Sequence, residues 1–313
     1  MKAIVVEHRG DLGSLREFPQ PSFASHEILV RVTAAGVNPM DWKVRDRGDR
    51  ALPFVLGQDF AGVVSAAGDR VSKFRVGERV FGIARNHGAY AEYTVVPEDD
   101  HVQPVAKIPD DVGDADAAAL PTAGLTALAA MNALAIAKGT TLLVLGATGG
   151  VGSFAVQMAR DRGAFVIGTA RDSNEILAHD LGVEEFVAYN RDNVNEKVGA
   201  AHPDGIDALL DLVDDAPGMN QVAELVRDGG RAASTIGSAD VDWFAQRNIV
   251  AVNLAMPRTP ESSQTGLRNL VELIEQGRLR VLISSERPLA DGANALAESK
   301  AGTIDGKLVL TVR

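Results

Sequence analysis

Short apolar runs interrupted by glycine and proline fill the first third of the chain. Each run is short and is bounded by turn signals, which is the pattern of short strands. Turn-forming residues such as Ala67-Gly68-Asp69 separate them. The predicted strands are Lys2–Val6, Glu27–Val32, Gly62–Ser65, Arg79–Gly82 and Tyr93–Val96. Many short strands with such punctuation predict a compact, barrel-like β domain.

From residue 114 the pattern changes to helices that alternate with strands. The predicted helices are Asp114–Ala119, Gly124–Lys138 (opened by Pro121 and closed by Gly139), Val151–Arg162, Glu175–Leu181 and Met219–Arg227. The predicted strands are Thr141–Leu145, Phe165–Ala170, Glu185–Tyr189, Ile206–Val213, Arg231–Ile236 and Ile249–Ala255. This alternation predicts βαβ units that build a parallel sheet.

The C-terminal part combines a linker, a helix and a final strand. Arg258–Thr265 is rich in Pro, Ser and Thr and is the predicted linker, and Leu267–Gln276 is the predicted helix. The last strand, Lys307–Val312, has no helix after it, so we expect it to return to the N-terminal β domain. The predicted domains are therefore 1–115 with 258–313, and 116–257.

Composition narrows the function classes. The 313 residues carry a formal net charge of −11, which disfavours general binding to nucleic acids or anionic membranes. The sequence has no cysteine, which excludes disulfides, thiolate zinc sites and iron–sulfur clusters. The N-terminus lacks the apolar core of a signal peptide, and no stretch reaches the ~20 apolar residues that span a bilayer. We therefore expect a soluble cytoplasmic protein.

A glycine-rich turn follows the first strand of the predicted parallel sheet. Thr141–Leu145 leads directly into Gly146-Ala147-Thr148-Gly149-Gly150-Val151-Gly152, and an amphipathic helix comes next. Glycines at such a turn permit the tight bend, the approach of backbone to a pyrophosphate and close helix–strand packing. The free N–H groups of the helix start then bind phosphate. The spacing varies from a strict G-x-G-x-x-G, but its strand–turn–helix context predicts a dinucleotide site.

The end of the second strand bears on which coenzyme binds. Arg171 lies 171 − 152 = 19 residues beyond the last glycine, where NAD sites usually place an acidic residue. Arg171 is a candidate partner for a 2′-phosphate, and a solvated surface arginine is nearly as good an interpretation. Asp172 either caps the following helix or holds a ribose hydroxyl. The coenzyme preference stays open at this point.

Several stretches of the chain resemble the medium-chain dehydrogenase/reductase superfamily, specifically its zinc-free quinone oxidoreductase (zeta-crystallin-like) branch. The stretches that carry the resemblance are Ala34–Asp41, Leu56–Val64, Phe74–Gly82, Gly88–Tyr93, Leu120–Ala127 and Gly306–Leu310, besides the glycine-rich turn. The resemblance implies an α/β protein with a GroES-like β-barrel domain split around a Rossmann domain with a doubly wound parallel sheet. It also implies an NADPH-dependent enzyme that is a homodimer.

The resemblance assigns roles to individual residues. The candidates for coenzyme binding are Gly149, Gly150, Val151 and Gly152 at the pyrophosphate, Arg171 and Tyr189 at the adenosine side, and Gly237 and Asn253 at the nicotinamide side. Asn38 and Asp41 are the candidate catalytic residues. Asn38 is expected to donate its side-chain amide to the acceptor oxygen. Asp41 is expected to order the site rather than donate, because an ionised carboxylate has no proton to give.

A metal site is not expected. Zinc-dependent relatives place cysteine at the position of Asn38 and histidine at the position of Gln58, and both ligands are absent here. The six histidines, His8, His26, His87, His101, His179 and His202, show no metal-binding spacing and are predicted to be surface or loop residues. The acidic group Asp211, Asp214 and Asp215 is interpreted as a solvated loop. Tyr90 is predicted to be a packed aromatic residue, with proton donation as the alternative.

Three functions fit these observations. The first is an NADPH-dependent reductase of quinones, the second a reductase of activated C=C bonds in enones or polyketide intermediates, and the third an NADPH-binding protein without turnover. The implied partner is a small quinone or enone. Ile249–Ala255 is apolar and late in the strand order, so we expect it at the sheet edge, where it would pair with a second copy of the chain.

Overall fold

A computed structural model describes residues 1–86, 88–256 and 258–313. The chain forms two compact units. The first unit contains Met1–Leu125, Pro260–Gly277 and Val281–Arg313, and the second contains Thr126–Thr259 and Arg278–Arg280. The domain limits derived from the sequence, 1–115 with 258–313 and 116–257, stay predictions.

The regular elements are numbered along the chain. The strands are β1 (Lys2–Val6), β2 (Ser14–Glu17), β3 (Glu27–Val37), β4 (Phe54–Val55), β5 (Asp59–Ala67), β6 (Arg79–Ile83), β7 (Tyr93–Pro97), β8 (Val105–Lys107), β9 (Thr141–Leu145), β10 (Phe165–Ala170), β11 (Glu185–Ala188), β12 (Ile206–Asp211), β13 (Val226–Ser234), β14 (Val250–Asn253), β15 (Ile283–Pro288) and β16 (Lys307–Thr311). The helices are α1 (Pro39–Arg47), α2 (Asp114–Ala119), α3 (Pro121–Ala133), α4 (Gly150–Asp161), α5 (Glu175–Leu181), α6 (Val194–Ala201), α7 (Ala216–Ala223), α8 (Val241–Ala245), α9 (Gln264–Glu275) and α10 (Gly292–Ala301).

Two sheets build the first unit around one core. One sheet has the order β2-β1-β4, and the other has the order β15-β16-β3-β5-β6-β8, with β7 also paired to β3. Apolar residues of both sheets, including Ile4 of β1 and Phe60 of β5, meet in the same buried cluster. The predicted barrel-like β domain is therefore confirmed.

The last strand, β16, closes the first unit. It pairs antiparallel with the second half of β3, with Leu308 opposite Val37 and Leu310 opposite Ala35. Both residues of β16 are buried in the core of this unit. The prediction that the chain end returns to the N-terminal β domain is therefore confirmed.

A parallel six-stranded sheet forms the second unit. Its order is β11-β10-β9-β12-β13-β14, and every neighbouring pair is parallel. Helices α4 and α5 pack against each other, as do α6 and α7. The latter pair packs on the β9 face that presents Leu143 and Leu145. This strand order is that of a Rossmann fold, and its order reverses between β9 and β12, where such sheets bind ligands.

Several predicted element bounds were wrong. The helix predicted over Gly124–Lys138 begins at Pro121, the residue expected to open it, but it ends at Ala133, because Ala135 adopts a left-handed conformation with φ of 52°. The helix predicted over Met219–Arg227 ends at Ala223, since Val226 already belongs to β13. Strand β3 continues to Val37, five residues beyond the predicted end at Val32. Its second half is buried against β5 and β16, and that tertiary pairing is invisible to local patterning.

A helix that spans a membrane needs about 20 predominantly apolar residues. Among residues 1–86, 88–256 and 258–313, no helix is both long enough and apolar enough to cross a bilayer.

Candidate active site

One row of residues marks the carboxyl edge of the parallel sheet. Across the strands, Leu145 of β9 pairs with Asp211 of β12, Asp211 with Ser234 of β13, and Ser234 with Asn253 of β14. On the other side, Leu145 pairs with Thr169 of β10. The loops that carry the predicted coenzyme residues leave the sheet at or just beyond this row. The fold thus brings to one edge residues that are far apart in the sequence.

The glycine-rich turn is anchored to the neighbouring strand. Gly146 has a φ of +87°, a left-handed conformation that favours glycine. Its N–H donates to Thr169 Oγ1 at 3.1 Å, and the N–H of Ala147 donates to the Thr169 carbonyl oxygen at 2.8 Å. The turn therefore has a fixed start before the chain enters α4.

The start of α4 fits a pyrophosphate. Gly149 is the N-cap residue and provides no side chain to cap the helix. The N–H groups of the first helical turn have no intrahelical acceptor either. A Cβ at Gly149 would meet only the Gly146 oxygen, at 3.5 Å, so the space before the helix is open. A Cβ at Gly152 would lie 2.1 Å from the Gly146 oxygen. Gly152 thus permits the tight packing, while Gly149 leaves room for a ligand.

Arg171 and Tyr189 meet at the ends of β10 and β11. Arg171 Nε donates to Tyr189 Oη at 3.2 Å, and the Tyr189 side chain is half exposed. The carboxylate of Asp172 accepts a hydrogen bond from Asn190 Nδ2 at 3.0 Å, and this hydrogen bond lowers the pKa of Asp172. Asp172 does not cap α5, because Asn174 occupies the N-cap position. The interpretation of Asp172 as a helix cap is therefore wrong.

Two further loops are held at the same edge by side chains. Asn253 Nδ2 donates to the carbonyl oxygen of Ala239 at 2.8 Å, and Asn253 Oδ1 accepts from the Ala239 N–H at 3.0 Å. These two hydrogen bonds tie β14 to the loop that contains Gly237, whose φ is +86°. Buried Asp211 accepts from the N–H groups of Val213 and Asp214 and from Ser238 Oγ. Asp211 is thus a loop anchor, and the interpretation of the acidic group as wholly solvated is wrong for this residue.

In the first unit, Asn38 lies where β3 ends and α1 begins. Asn-Pro favours such a turn, and Pro39 occupies the first helical position. Asn38 is only 2 % exposed. Its Nδ2 donates to Asp59 Oδ2 at 2.8 Å, and its Oδ1 accepts a hydrogen bond from Lys307 Nζ. The second N–H of this amide has no acceptor among the described residues.

Asp59, Thr122 and Lys307 complete this cluster and were missed in the sequence. Asp59 accepts from Thr122 Oγ1 at 2.6 Å and from the Thr122 N–H at 3.0 Å. Lys307 is 3 % exposed and donates to the Val37 carbonyl oxygen at 2.8 Å. Burial raises the pKa of Asp59 and lowers that of Lys307, and each charge opposes the shift of the other. The sequence signal for Asp59 and Lys307 was that each is a charged residue in an otherwise apolar strand, β5 and β16 respectively.

Asp41 lies one helical turn into α1, beside Asn38. Its Oδ2 accepts from Tyr90 Oη at 2.7 Å and from the Asn38 N–H at 2.9 Å. Its Oδ1 is buried and has no partner among the described residues. Burial raises the pKa of Asp41 to about 7, against the lowering effects of these bonds. The expectation that Asp41 orders the site rather than donating a proton stays a prediction, and a carboxyl with a raised pKa can also hold a proton.

Tyr90 supports Asp41 from the core. Its ring is fully buried in the main cluster of the first unit, as predicted, and its hydroxyl reaches Asp41. Burial and the Asp41 charge raise the pKa of Tyr90 well above its usual range. Tyr90 is therefore a fixed hydrogen-bond donor to Asp41.

A cavity of about 200 Å³ lies next to Asp41 in the first unit. Asp41 and Gln58 contribute its polar buried residues, and Met40, Val44, Phe54 and Leu56 contribute apolar surface. Gln58 Oε1 is buried and lacks a partner among the described residues. The cavity is thus lined by two residues, Asp41 and Gln58, that each have a buried oxygen atom without a partner among the described residues.

The donors around this site do not fit zinc. Asn38 and Gln58 offer neutral amides where a tetrahedral zinc site needs thiolate, imidazole or carboxylate ligands, and the sequence has no cysteine. The described part of the chain contains no group of three or more His, Asp or Glu residues suited to a metal ion. His8, His26, His101 and His179 are exposed, and half-buried His202 pairs with Glu185 at 2.8 Å. His87 lies outside the described residues.

Comparison with known proteins agrees with this arrangement. The alcohol dehydrogenase GroES-like domain matches residues 24–110, and the zinc-binding dehydrogenase family matches residues 181–310. Mouse quinone oxidoreductase is 32 % identical over 302 residues, which cover 91 % of this chain and 89 % of that protein. The chain belongs to the medium-chain dehydrogenase/reductase superfamily. Within it, the similarity is to the quinone oxidoreductase branch, so the expected family and fold are confirmed.

Solved structures of the superfamily support the same assignment. The quinone oxidoreductase of Coxiella burnetii is 31 % identical, with a TM-score of 0.90, over 100 % of this chain and 99 % of that one. A mycobacterial relative solved in complex with NADPH is 27 % identical, with a TM-score of 0.87, over 99 % of this chain and 100 % of that one. The chain is therefore an oxidoreductase that uses a nicotinamide coenzyme.

Proposed function

We propose that this protein is a zinc-independent reductase that transfers hydride from NADPH to a quinone. The observation that carries this proposal is the buried cluster in which Lys307 and Asp59 fix the Asn38 amide beside Asp41. Such a cluster can bind an acceptor oxygen without a metal. The coenzyme would be held by Gly149, Gly150, Val151 and Gly152 at the start of α4.

Asn38 suits the acceptor oxygen because hydride addition places negative charge there. The bound coenzyme supplies the hydride, which adds two electrons and one hydrogen to the acceptor. Lys307 and Asp59 hold Asn38 from opposite ends, so the second N–H of its amide has a fixed direction. A well-placed donor of this kind is worth about 3–4 kcal/mol in the transition state.

Asp41 suits the proton that the product needs. A quinone that receives hydride becomes a hydroquinone only after one proton has been added to oxygen. Asp41 lines the cavity, its Oδ1 is unpartnered within the described part of the chain, and Tyr90 holds Oδ2. Asp41 can therefore deliver a proton from Oδ1 while Oδ2 remains fixed.

A panel of acceptors tests the function directly. Oxidation of NADPH would be followed by its absorbance with quinones and with α,β-unsaturated ketones, under identical conditions. The proposal expects turnover with quinones at a higher kcat/KM than with enones. Turnover with neither class, together with tight NADPH binding, would favour the third function, a binder without catalysis.

Reduction of an activated C=C bond is the second candidate. An enone takes hydride at its β-carbon, and negative charge again develops on the carbonyl oxygen. The Asn38 amide would stabilise that enolate in the same way, and Asp41 would return a proton. The cluster is thus suited to both reactions, and a higher kcat/KM with enones would select this one.

The coenzyme preference is expected to be NADPH over NADH. Arg171 is half-buried, its guanidinium donates a hydrogen bond to Tyr189 and forms no ion pair among the described residues, and it is thus a candidate partner for the 2′-phosphate. A charge-assisted bond to phosphate is worth roughly 1.5–3 kcal/mol, or about 10- to 100-fold in affinity. Arg171→Ala should weaken NADPH binding by this factor and leave NADH nearly unchanged, as measured by fluorescence titration. An equal loss for both coenzymes would assign Arg171 a structural role.

Asn38→Ala should lower kcat/KM at least tenfold and leave NADPH affinity nearly unchanged. The change removes the donor to the acceptor oxygen in the first unit, whereas the predicted coenzyme residues lie in the second. Asn294→Ala, an exposed asparagine of α10, is the matched control and should keep full turnover. The variant's melting curve shows whether it remains folded. Intact turnover in a folded Asn38→Ala protein would mean that another group polarises the acceptor.

A homodimer is the expected assembly. Strand β14 lies at the edge of the parallel sheet, and Val250 on it is 57 % exposed. An exposed apolar edge favours pairing, and two copies would meet there through the same surface. Sedimentation at micromolar concentration should give a dimer, and Val250→Lys should shift it to a monomer by placing like charges together. A monomeric unsubstituted protein would contradict this assembly.

A further inference from the structure

Three arginines surround the cavity beside Asp41. Arg47, Arg50 and Arg85 all line it, although the chain as a whole carries a net charge of −11. Arg50 and Arg85 are half-buried, and burial lowers the pKa of both guanidinium groups. This concentration of partly desolvated positive charge is unusual for an acidic protein and calls for a physical explanation.

None of the three guanidinium groups forms an ion pair within the described residues. Arg50 donates to the backbone oxygen of Arg85 and lies over the Phe54 ring, 5.4 Å from its centroid. Arg85 Nε donates to the Val102 carbonyl oxygen at 2.8 Å, and the charges of Asp59 and Asp41 act on it without contact. Arg47 reaches only the sulfur of Met40. Partly buried cations without a carboxylate partner are costly, and a bound anion would offset that cost.

The rest of the cavity indicates the size and polarity of the ligand. Its volume of about 200 Å³ exceeds the roughly 150 Å³ that accommodates a benzene molecule in a protein core. Phe54, Leu56 and Val44 supply apolar surface for a ring.

We propose that this cavity binds a single-ring acceptor that carries an anionic substituent such as a carboxylate, with the anion at Arg50 and Arg85 and the ring against Val44, Phe54 and Leu56. This inference rests on the proposed function for the identity of the acceptor, and it names the substrate class. Binding of a redox-inert ligand of the same shape does not depend on turnover, so the two proposals can fail separately.

Direct binding of 4-hydroxybenzoate tests the inference. This probe combines one ring, one carboxylate and one hydroxyl, and it cannot accept hydride. Calorimetric titration should show binding of 4-hydroxybenzoate and at least tenfold weaker binding of its methyl ester, which has the same ring without the charge. Higher salt should weaken the binding of the acid and leave that of the ester unchanged. Equal affinity for acid and ester would overturn the proposal.

Variants of the cavity arginines test which of them bind the carboxylate of the probe. Arg50→Gln and Arg85→Gln should each weaken 4-hydroxybenzoate about tenfold or more and leave the ester unaffected. Arg47→Gln changes a more exposed member of the group, so this variant is expected to fold normally. The control is Arg9→Gln, which removes an exposed arginine of the same unit outside the cavity. Unchanged affinity for the acid in all three cavity variants would overturn the proposal.

The coenzyme is the other source of an anion, and a further titration distinguishes it. The same titration in saturating NADPH should give an affinity for 4-hydroxybenzoate at least as high as without coenzyme. Competitive loss of the probe on addition of NADPH would assign the arginines to a coenzyme phosphate and would overturn the inference. In contrast, absence of quinone turnover with intact binding of the acid would count only against the proposed function.

Discussion

Gly152→Ala should melt at a temperature lower by on the order of 10 °C, whereas Gly149→Ala should melt normally and lose its coenzyme. A Cβ at Gly152 would lie 2.1 Å from the Gly146 oxygen and 2.9 Å from the Ala147 carbonyl carbon, and neither backbone atom can move aside easily. Overpacking of this kind costs about 3 kcal/mol, the upper end of its usual range. At Gly149 the nearest atom is 3.5 Å away and the φ of −73° suits alanine.

The loss expected for Gly149→Ala comes from the ligand rather than from the fold. Its methyl group would occupy the space that a pyrophosphate needs in order to reach the first N–H groups of α4. Loss of one charge-assisted bond there corresponds to about 10- to 100-fold in affinity. Thermal unfolding and NADPH titration of both variants, side by side, measure the two effects separately.

A third alanine variant provides the control for this comparison. Gly199 lies within α6, and a Cβ there would meet only Leu225 Cδ2, at 3.4 Å. Gly199→Ala should therefore leave both the melting temperature and the NADPH affinity unchanged, or raise stability slightly through helix propensity. Normal coenzyme binding by Gly149→Ala would mean that the pyrophosphate does not approach this turn.

The sequence predicted the second unit better than the first. Strands β9 and β10 and helix α5 have the predicted bounds, because each is a short periodic segment with a clear turn at either end. In the first unit, helices α1 and α10 and strands β2, β4, β8 and β15 were not predicted, whereas in the second unit only helices α6 and α8 were missed. The charged residues of α1 do not form an amphipathic pattern, and it begins only because Asn38-Pro39 ends β3 at that point.

The candidate site was predictable in its residues but not in its connections. Arg171 and Tyr189 are 18 residues apart, and their contact follows from parallel strands whose ends meet at one sheet edge. By contrast, Lys307 reaches Asn38 across 269 residues, because β16 pairs with β3. No local pattern encodes that pairing. The raised pKa of Asp41 was likewise hidden, since it depends on burial, on the hydrogen bonds from Tyr90 and Asn38, and on nearby charges.

Asp41→Asn should lower kcat/KM at least 100-fold at pH 6. The variant should also lack the decline in kcat/KM that the unsubstituted protein shows as the pH rises. In the unsubstituted protein, Asp41 with a pKa of about 7 is protonated below that pH and can donate, and it loses this proton as the pH rises. Proton donation by a positioned side chain is worth about 10²- to 10⁴-fold. Asparagine keeps the shape of the side chain and an oxygen for Tyr90, but it has no carboxyl proton to transfer. Steady-state rates from pH 5 to 9 with the preferred acceptor make the comparison.

Stability provides an independent measurement of the same carboxyl. The pKa of Asp41 is higher in the folded protein (about 7) than its ordinary value of 3.8, so the folded state binds the proton more tightly. Its contribution to stability is full below pH 3.8 and is lost as the pH rises through 7, by at most on the order of 4 kcal/mol. Asp59, whose pKa is also raised, is present in both proteins, so the difference between their unfolding free energies reports Asp41 together with its coupling to Asp59. If Asp41→Asn has the same pH profile of rate and of stability as the unsubstituted protein, Asp41 is ionised throughout and the proton comes from another group.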